Sequence, residues 1–121
     1  MAKILVVDDD MINRKLLNVL LKKNGYTDVI EAEDGLEALQ KIKENKFDII
    51  LLDIVMPKMD GIDVLKTLKK EPAYTEFANT PIAILTTDDT KKNEALSLGA
   101  CTVLIKPIKE PELKSLLDAC L

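Results

Sequence analysis

Five short apolar runs, each followed by a stretch with helical spacing, set the tightest limit on how this chain can fold. The first run, Lys3 to Val7, is apolar and β-branched and stops at Asp8. After it Ile12, Leu16, Val19 and Leu20 recur with a helical period, and Asn13, Arg14, Lys15 and Asn18 fall on the other face. Asp10 is placed to cap that helix and Asn24-Gly25 to stop it. Val29-Ile30 is a weaker second strand. Asp34-Gly35-Leu36-Glu37 has the form of a capping box, and Leu36, Leu39 and Ile42 give the second helix its stripe. Phe47 to Leu52 is the most apolar run and the third strand. Asp60-Gly61 turns the chain into a third helix carrying Leu65 and Leu68. A polar loop from Glu71 to Thr80 precedes a fourth strand, Pro81 to Leu85. A short helix from Thr90 to Leu98 ends at Gly99, and Thr102 to Ile105 is the fifth strand. Pro111 sits where a first helical turn tolerates it, and Leu113, Leu116, Leu117 and Cys120 face the core from the last helix.

Alternation of this kind, with strands apolar throughout, predicts an α/β fold: a doubly wound, five-stranded parallel sheet covered by five helices. Right-handed crossovers leave few topologies. The chain has 121 residues, with no internal repeat, linker or low-complexity tract. One domain over residues 1–121, without an output domain, is therefore the expectation.

Composition narrows the function. Hydrophobic residues make up 47% and charged residues 31%, which fits a globular domain. No apolar run approaches the ~20 residues that span a bilayer, so membrane insertion is not expected. Two cysteines without a secretion signal point to the cytoplasm and reduced thiols, with Cys101 read as a core thiol and Cys120 as a helix-end thiol. Seventeen basic against 21 acidic residues give a net charge of −4, and Arg14 is the one arginine, which argues against direct nucleic-acid binding. The absence of histidine removes His-based triads, His zinc ligands and a phosphohistidine on this chain.

In a doubly wound sheet, ligands bind beyond the carboxyl ends of the strands. Those ends carry Asp8-Asp9-Asp10 after the first strand and Asp53 after the third. Thr86-Thr87 and then Asp88-Asp89 follow the fourth strand, and Lys106-Pro107 the fifth. Asp10, Asp60, Asp88 and Asp89 read as caps and turn residues. The remaining carboxylates, a hydroxyl and an ammonium converge on one edge. Two like charges ~6 Å apart repel by roughly 3 kcal/mol at an effective dielectric of 20, so such a cluster calls for a hard divalent cation. Mg²⁺ takes oxygen ligands and keeps several waters. A metal beside a carboxylate and a lysine suits phosphoryl transfer to that carboxylate.

Val6-Val7-Asp8-Asp9, the block Leu52-Asp53-Ile54-Val55-Met56-Pro57-Lys58-Met59-Asp60-Gly61, Leu85-Thr86 and Lys106-Pro107 together resemble the receiver domain of two-component response regulators. The resemblance covers essentially the whole chain. It implies a flavodoxin-like sheet of order 2-1-3-4-5 and a phosphoacceptor role for Asp53, supplied by a sensor histidine kinase or a histidine phosphotransfer protein. It further implies Mg²⁺ held by Asp9, Asp53 and the backbone carbonyl of Val55, with Asp8 acting through water. Lys106 and Thr86 would contact the phosphoryl oxygens, and the Lys106-Pro107 bond would be cis. Such a domain is not an enzyme beyond its own phosphoryl uptake and release.

Two positions depart from that pattern. Val103 stands where the family usually has an aromatic, and Thr87 where alanine or glycine is common. Valine has few rotamers and short reach, which favours a relay or sink over a switch that moves a ring. The expected output is a binding surface for a downstream protein, with Lys91, Lys92, Cys101, Val103 and Lys109 as its candidates. Two other readings remain at this level: a receiver-like module that binds independently of phosphorylation, and a haloacid-dehalogenase-like phosphatase using Asp8 and Asp10.

Overall fold

The computed structural model describes residues 2–121. Five parallel strands form one sheet: β1 (Lys3–Val7), β2 (Asp28–Ala32), β3 (Ile49–Leu52), β4 (Ile82–Thr86) and β5 (Thr102–Ile105). Their spatial order is β2-β1-β3-β4-β5, the flavodoxin-like order expected. The helices are α1 (Met11–Lys23), α2 (Gly35–Glu44), α3 (Gly61–Lys70), α4 (Lys92–Ser97) and α5 (Glu110–Cys120). Residues of the expected polar loop wind into a 3-10 helix at Pro72–Phe77, and α4 is shortened by a 3-10 turn at Asp89–Lys91.

Because strand side chains alternate, each strand feeds two cores. Leu5, Val7, Ile50, Leu52, Ile82 and Ile84 face one side, where they meet Leu39 and Ile42 of α2, Leu65 and Leu68 of α3 and Ala95 of α4. Ile4, Val6, Ile49, Leu51, Ala83 and Leu85 face the other, against Leu17 and Leu21 of α1 and Leu113, Leu116 and Leu117 of α5. The near-continuous apolar strands in the sequence are the direct result of covering on both faces.

The capping residues act as read. Asp10, Asp34, Asp60 and Asp88 each accept a backbone N–H of the helical turn that follows. Two helix faces do not follow the reading. Ile12, Leu16 and Val19 are exposed on α1, and the buried residues are Arg14, Leu17 and Leu21. In α2 Leu36 is exposed, and Ala38 joins Leu39 and Ile42 inside. Both rows of α1 have helical spacing, so periodicity alone does not choose between them; contact with the sheet does.

Candidate functional site

The site is assembled by register. Val7 pairs with Leu52, and Leu52 with Ile84, so the residues after these strands come out side by side. The Asp53 N–H donates to the carbonyl of Val7 (2.9 Å), and the Lys106 N–H to the carbonyl of Thr86 (2.8 Å). The strand order reverses between β1 and β3, which opens the crevice there.

Asp8, Asp9 and Asp53 each present a carboxylate oxygen within 4.8 Å of the others. Asp8 and Asp53 are buried, at 6% and 8% exposure, and Asp9 is open to solvent. At that spacing a pair of carboxylates repels by about 3 kcal/mol at an effective dielectric of 20. Lys106 offsets part of this: its Nζ donates to Oδ2 of Asp8 (2.5 Å) and of Asp53 (3.1 Å). Burial pushes the Asp53 carboxyl above its ordinary value, with the Lys106 charge pulling the other way and Asp8 adding to the rise. For Lys106, burial acts to lower the ammonium, but hydrogen bonds and charge from Asp8 and Asp53 win and hold it above its usual range. Three carboxylates against one ammonium leave a surplus of negative charge. An all-oxygen donor set of that sign fits Mg²⁺.

Around this cluster the backbone is tightly held. Oδ1 of Asp8 accepts the Asp10 N–H (2.9 Å), and Oδ1 of Asp53 accepts the Ile54 N–H (2.7 Å). Thr86 is fully buried, and its hydroxyl oxygen accepts the Asp88 N–H (3.2 Å). Val55 lies two residues past Asp53 with its side chain exposed. The segment from 54 to 60 then closes on α3: the Gly61 N–H donates to the carbonyl of Ile54 (2.8 Å). A Cβ at Gly61 would meet the carbonyl oxygen of Asp53 at 2.2 Å, so only glycine lets α3 approach the end of β3 this closely. The Lys106-Pro107 bond is cis, as the resemblance implied.

All the side chains expected at the site therefore lie along one sheet edge. One further residue was missed. Arg14, assigned to the polar face of α1, is buried: its guanidinium donates to the carbonyl of Asp8 (2.6 Å) and to Oε1 of Glu31 (2.9 Å), with Glu33 at 3.6 Å. The signal available was a lone arginine within one turn of the Asp8–Asp10 run, two acidic residues standing at the end of the neighbouring strand. Val103 is buried rather than part of an exposed surface, and Cys101 is exposed rather than a core thiol. Thr87 is exposed at the rim.

The family model for the response regulator receiver domain matches residues 4–118. The chain belongs to this family. Its function is accordingly that of a receiver domain in two-component signalling, for which a phosphoacceptor role is the family's hallmark. It is 41% identical to the transcriptional regulatory protein CpxR homolog of Haemophilus influenzae, over all of this chain and 51% of that protein. The chain thus spans about half the length of that curated relative. Among solved structures, chemotaxis protein CheY4 of Vibrio cholerae superposes with a TM-score of 0.87 at 37% identity, covering 100% of this chain and 99% of that one. The response regulator TrrA of Thermotoga maritima, solved in complex with Mg²⁺-BeF, superposes at 0.88 with 32% identity and full coverage of both chains. This receiver domain is a signalling domain and not a conventional enzyme, so the phosphatase reading falls away. Among the described residues no helix is long and apolar enough to cross a membrane.

Proposed function

We propose that Asp53 is the phosphoacceptor of this receiver domain. The observation that carries this reading is the placing of the Asp53 carboxylate: buried, beside two further carboxylates, and in contact with the Lys106 ammonium. An Asp53 oxygen attacks the phosphorus of a phosphohistidine on a donor protein. The P–N bond breaks, the imidazole leaves, and an acyl phosphate forms on Asp53. Lys106 already contacts the Asp53 carboxylate and pairs with the phosphoryl group as it arrives. The Thr86 hydroxyl, whose oxygen accepts the Asp88 N–H, donates its own hydrogen to a phosphoryl oxygen. Mg²⁺, held by Asp9, Asp53 and the carbonyl of Val55 with Asp8 through water, would supply charge neutralisation for the transferring group. Attack of water on the same phosphorus breaks its bond to the Asp53 oxygen, releases inorganic phosphate and restores the carboxylate; in this reading the domain itself assists both transfer and release.

The donor in this reading is a sensor histidine kinase or histidine phosphotransfer protein, met in the cytoplasm. The exposed Ile12, Leu16 and Val19 support docking of an apolar helical partner on α1. Leu16 also lines a groove of about 130 Å³ that runs to Asp8, Asp53 and Lys106. The recipient of the signal is a protein rather than a nucleic acid, since the chain carries net charge −4. Val103 points into the core, where it has no ring to swing, which favours a relay over a moving surface.

The test is intact mass after incubation with Mg²⁺ and acetyl phosphate. One labile phosphoryl adduct is expected, absent without Mg²⁺ and absent in Asp53→Asn. An adduct that persists in Asp53→Asn overturns the assignment. A protein that binds Mg²⁺ and its partner but takes no phosphoryl group, even from a phosphorylated histidine donor, supports the phosphorylation-independent module instead.

A further inference from the structure

At the end of the sheet opposite the acidic site, two thiols meet. Cys101 immediately precedes β5, and its N–H donates to the carbonyl of Ile82 at the start of β4 (2.8 Å). Helix α5 runs back from the carboxyl ends of the strands and delivers Cys120, in its last turn, to the same place. The two Sγ atoms are 3.7 Å apart, though the residues stand 19 positions apart in sequence. Both cysteines are free, Cys101 exposed and Cys120 half-buried against the core under α1 and α5.

We infer that Cys101 and Cys120 form a redox-reactive dithiol, which a small disulfide such as glutathione disulfide converts to an intramolecular cystine tying β5 to α5. Sulfurs 3.7 Å apart are already in contact. A covalent S–S bond of ~2.05 Å needs a closure of under ~2 Å, within reach of side-chain rotation and the looseness of a last helical turn. The exposed Cys101 is the entry point. Its thiolate attacks one sulfur of the small disulfide, whose S–S bond breaks, and one small thiol leaves. The Cys120 thiolate then attacks the Cys101 sulfur of the mixed disulfide and expels the second small thiol. The protein pair loses two electrons, the small disulfide gains two, and both thiol protons end on the two small thiols. Burial and the hydrogen bond with Cys120 push the Cys101 thiol up to about 11, so the first attack is slow at neutral pH. Cystines of this kind in a reducing compartment are transient and report redox state.

The bond encloses all of β5, the Lys106-Pro107 turn and α5, without touching the acidic cluster. A cross-link of that span stabilises chiefly by restricting the unfolded chain. This inference is independent of Asp53 as phosphoacceptor.

The experiment equilibrates the full chain in glutathione buffers of graded oxidised-to-reduced ratio, at two protein concentrations tenfold apart. Intact mass, proteolytic mapping and thermal melting are then read. The expected product is lighter by two hydrogens, maps as a Cys101–Cys120 peptide, forms to the same extent at both concentrations and melts higher than the reduced protein. Cys120→Ser, which cannot resolve the mixed disulfide, should carry at least about tenfold more bound glutathione than the wild type at the same ratio, because the second thiol acts at high effective concentration. Wild type that retains glutathione as Cys120→Ser does overturns the inference. So does a disulfide between chains that grows with protein concentration, or a protein still fully reduced where free cysteine is oxidised.

Discussion

The Lys106 ammonium donates a hydrogen bond to Oδ2 of Asp8 at 2.5 Å across 98 positions of sequence. The contact joins the carboxyl ends of β1 and β5 over the end of β3, and Asp53 lies beneath it at 3.1 Å. Lys106→Met leaves two buried carboxylates facing each other with no cation. In the absence of metal it should cost about 2 kcal/mol in chemical denaturation. The same change removes a positive charge from the cation site, so Mg²⁺ should bind as tightly or more tightly while phosphoryl uptake slows. Weaker Mg²⁺ binding in Lys106→Met would show that the lysine orders the carboxylates rather than pairing with the phosphoryl group.

Asp53 has the opposite effect on stability. A carboxyl whose folded-state pKa is raised stabilises the fold fully only below its unfolded value near 3.8, and that contribution is lost as pH rises through the folded value. At neutral pH and without metal, ionised Asp53 is therefore a net burden. Asp53→Asn leaves a balanced Lys106–Asp8 pair. It should raise the melting temperature at pH 7, by an amount of order 1 kcal/mol or roughly 3–5 °C. The gain should shrink as pH falls towards 3.8. Melts of both proteins between pH 3.5 and 7, in a chelator, check this; an equal difference at every pH would contradict it.

Gly61 leaves no room for a side chain, and the obstacle is the backbone carbonyl of Asp53 at 2.2 Å rather than a flexible side chain. Gly61→Ala should destabilise by about 2–3 kcal/mol through overpacking. It should also slow phosphoryl uptake, because relief of the clash has to move the end of β3. Urea denaturation and initial rates of acetyl phosphate uptake read the two effects separately.

Arg14 holds the carbonyl of Asp8 from behind while the carboxylate faces the pocket. Arg14→Met should cost about 1–3 kcal/mol, as a buried carbonyl loses its donor and Glu31 its partner. Loss of this support should weaken Mg²⁺ binding about fivefold, near 1 kcal/mol. Arg14→Lys should not rescue it, since an ammonium lacks the fork that reaches Asp8 and Glu31 together. Calorimetric Mg²⁺ titration gives the answer; unchanged affinity would limit Arg14 to a structural role.

Much of this molecule is legible in chain order because its signals are local. Apolar runs and helical spacing set the alternation of strands and helices, and a short polar residue before each turn marks the caps at Asp10, Asp34 and Asp60. In a parallel sheet, residues that end their strands share an edge, so the strand pattern alone places Asp8, Asp53, Thr86 and Lys106 together. The fold alone decided what spacing leaves degenerate. Two rows of α1 fit a helix equally well, and contact with Ile4, Val6 and Leu51 chose Leu17 and Leu21 over Ile12, Leu16 and Val19. The same rotation carried Arg14 inward to Asp8. Cys101 and Cys120 met because the length and direction of α5 return it to the start of β5. These placements, whether over six positions or nineteen, are set by how each helix packs on the sheet, which no local pattern encodes.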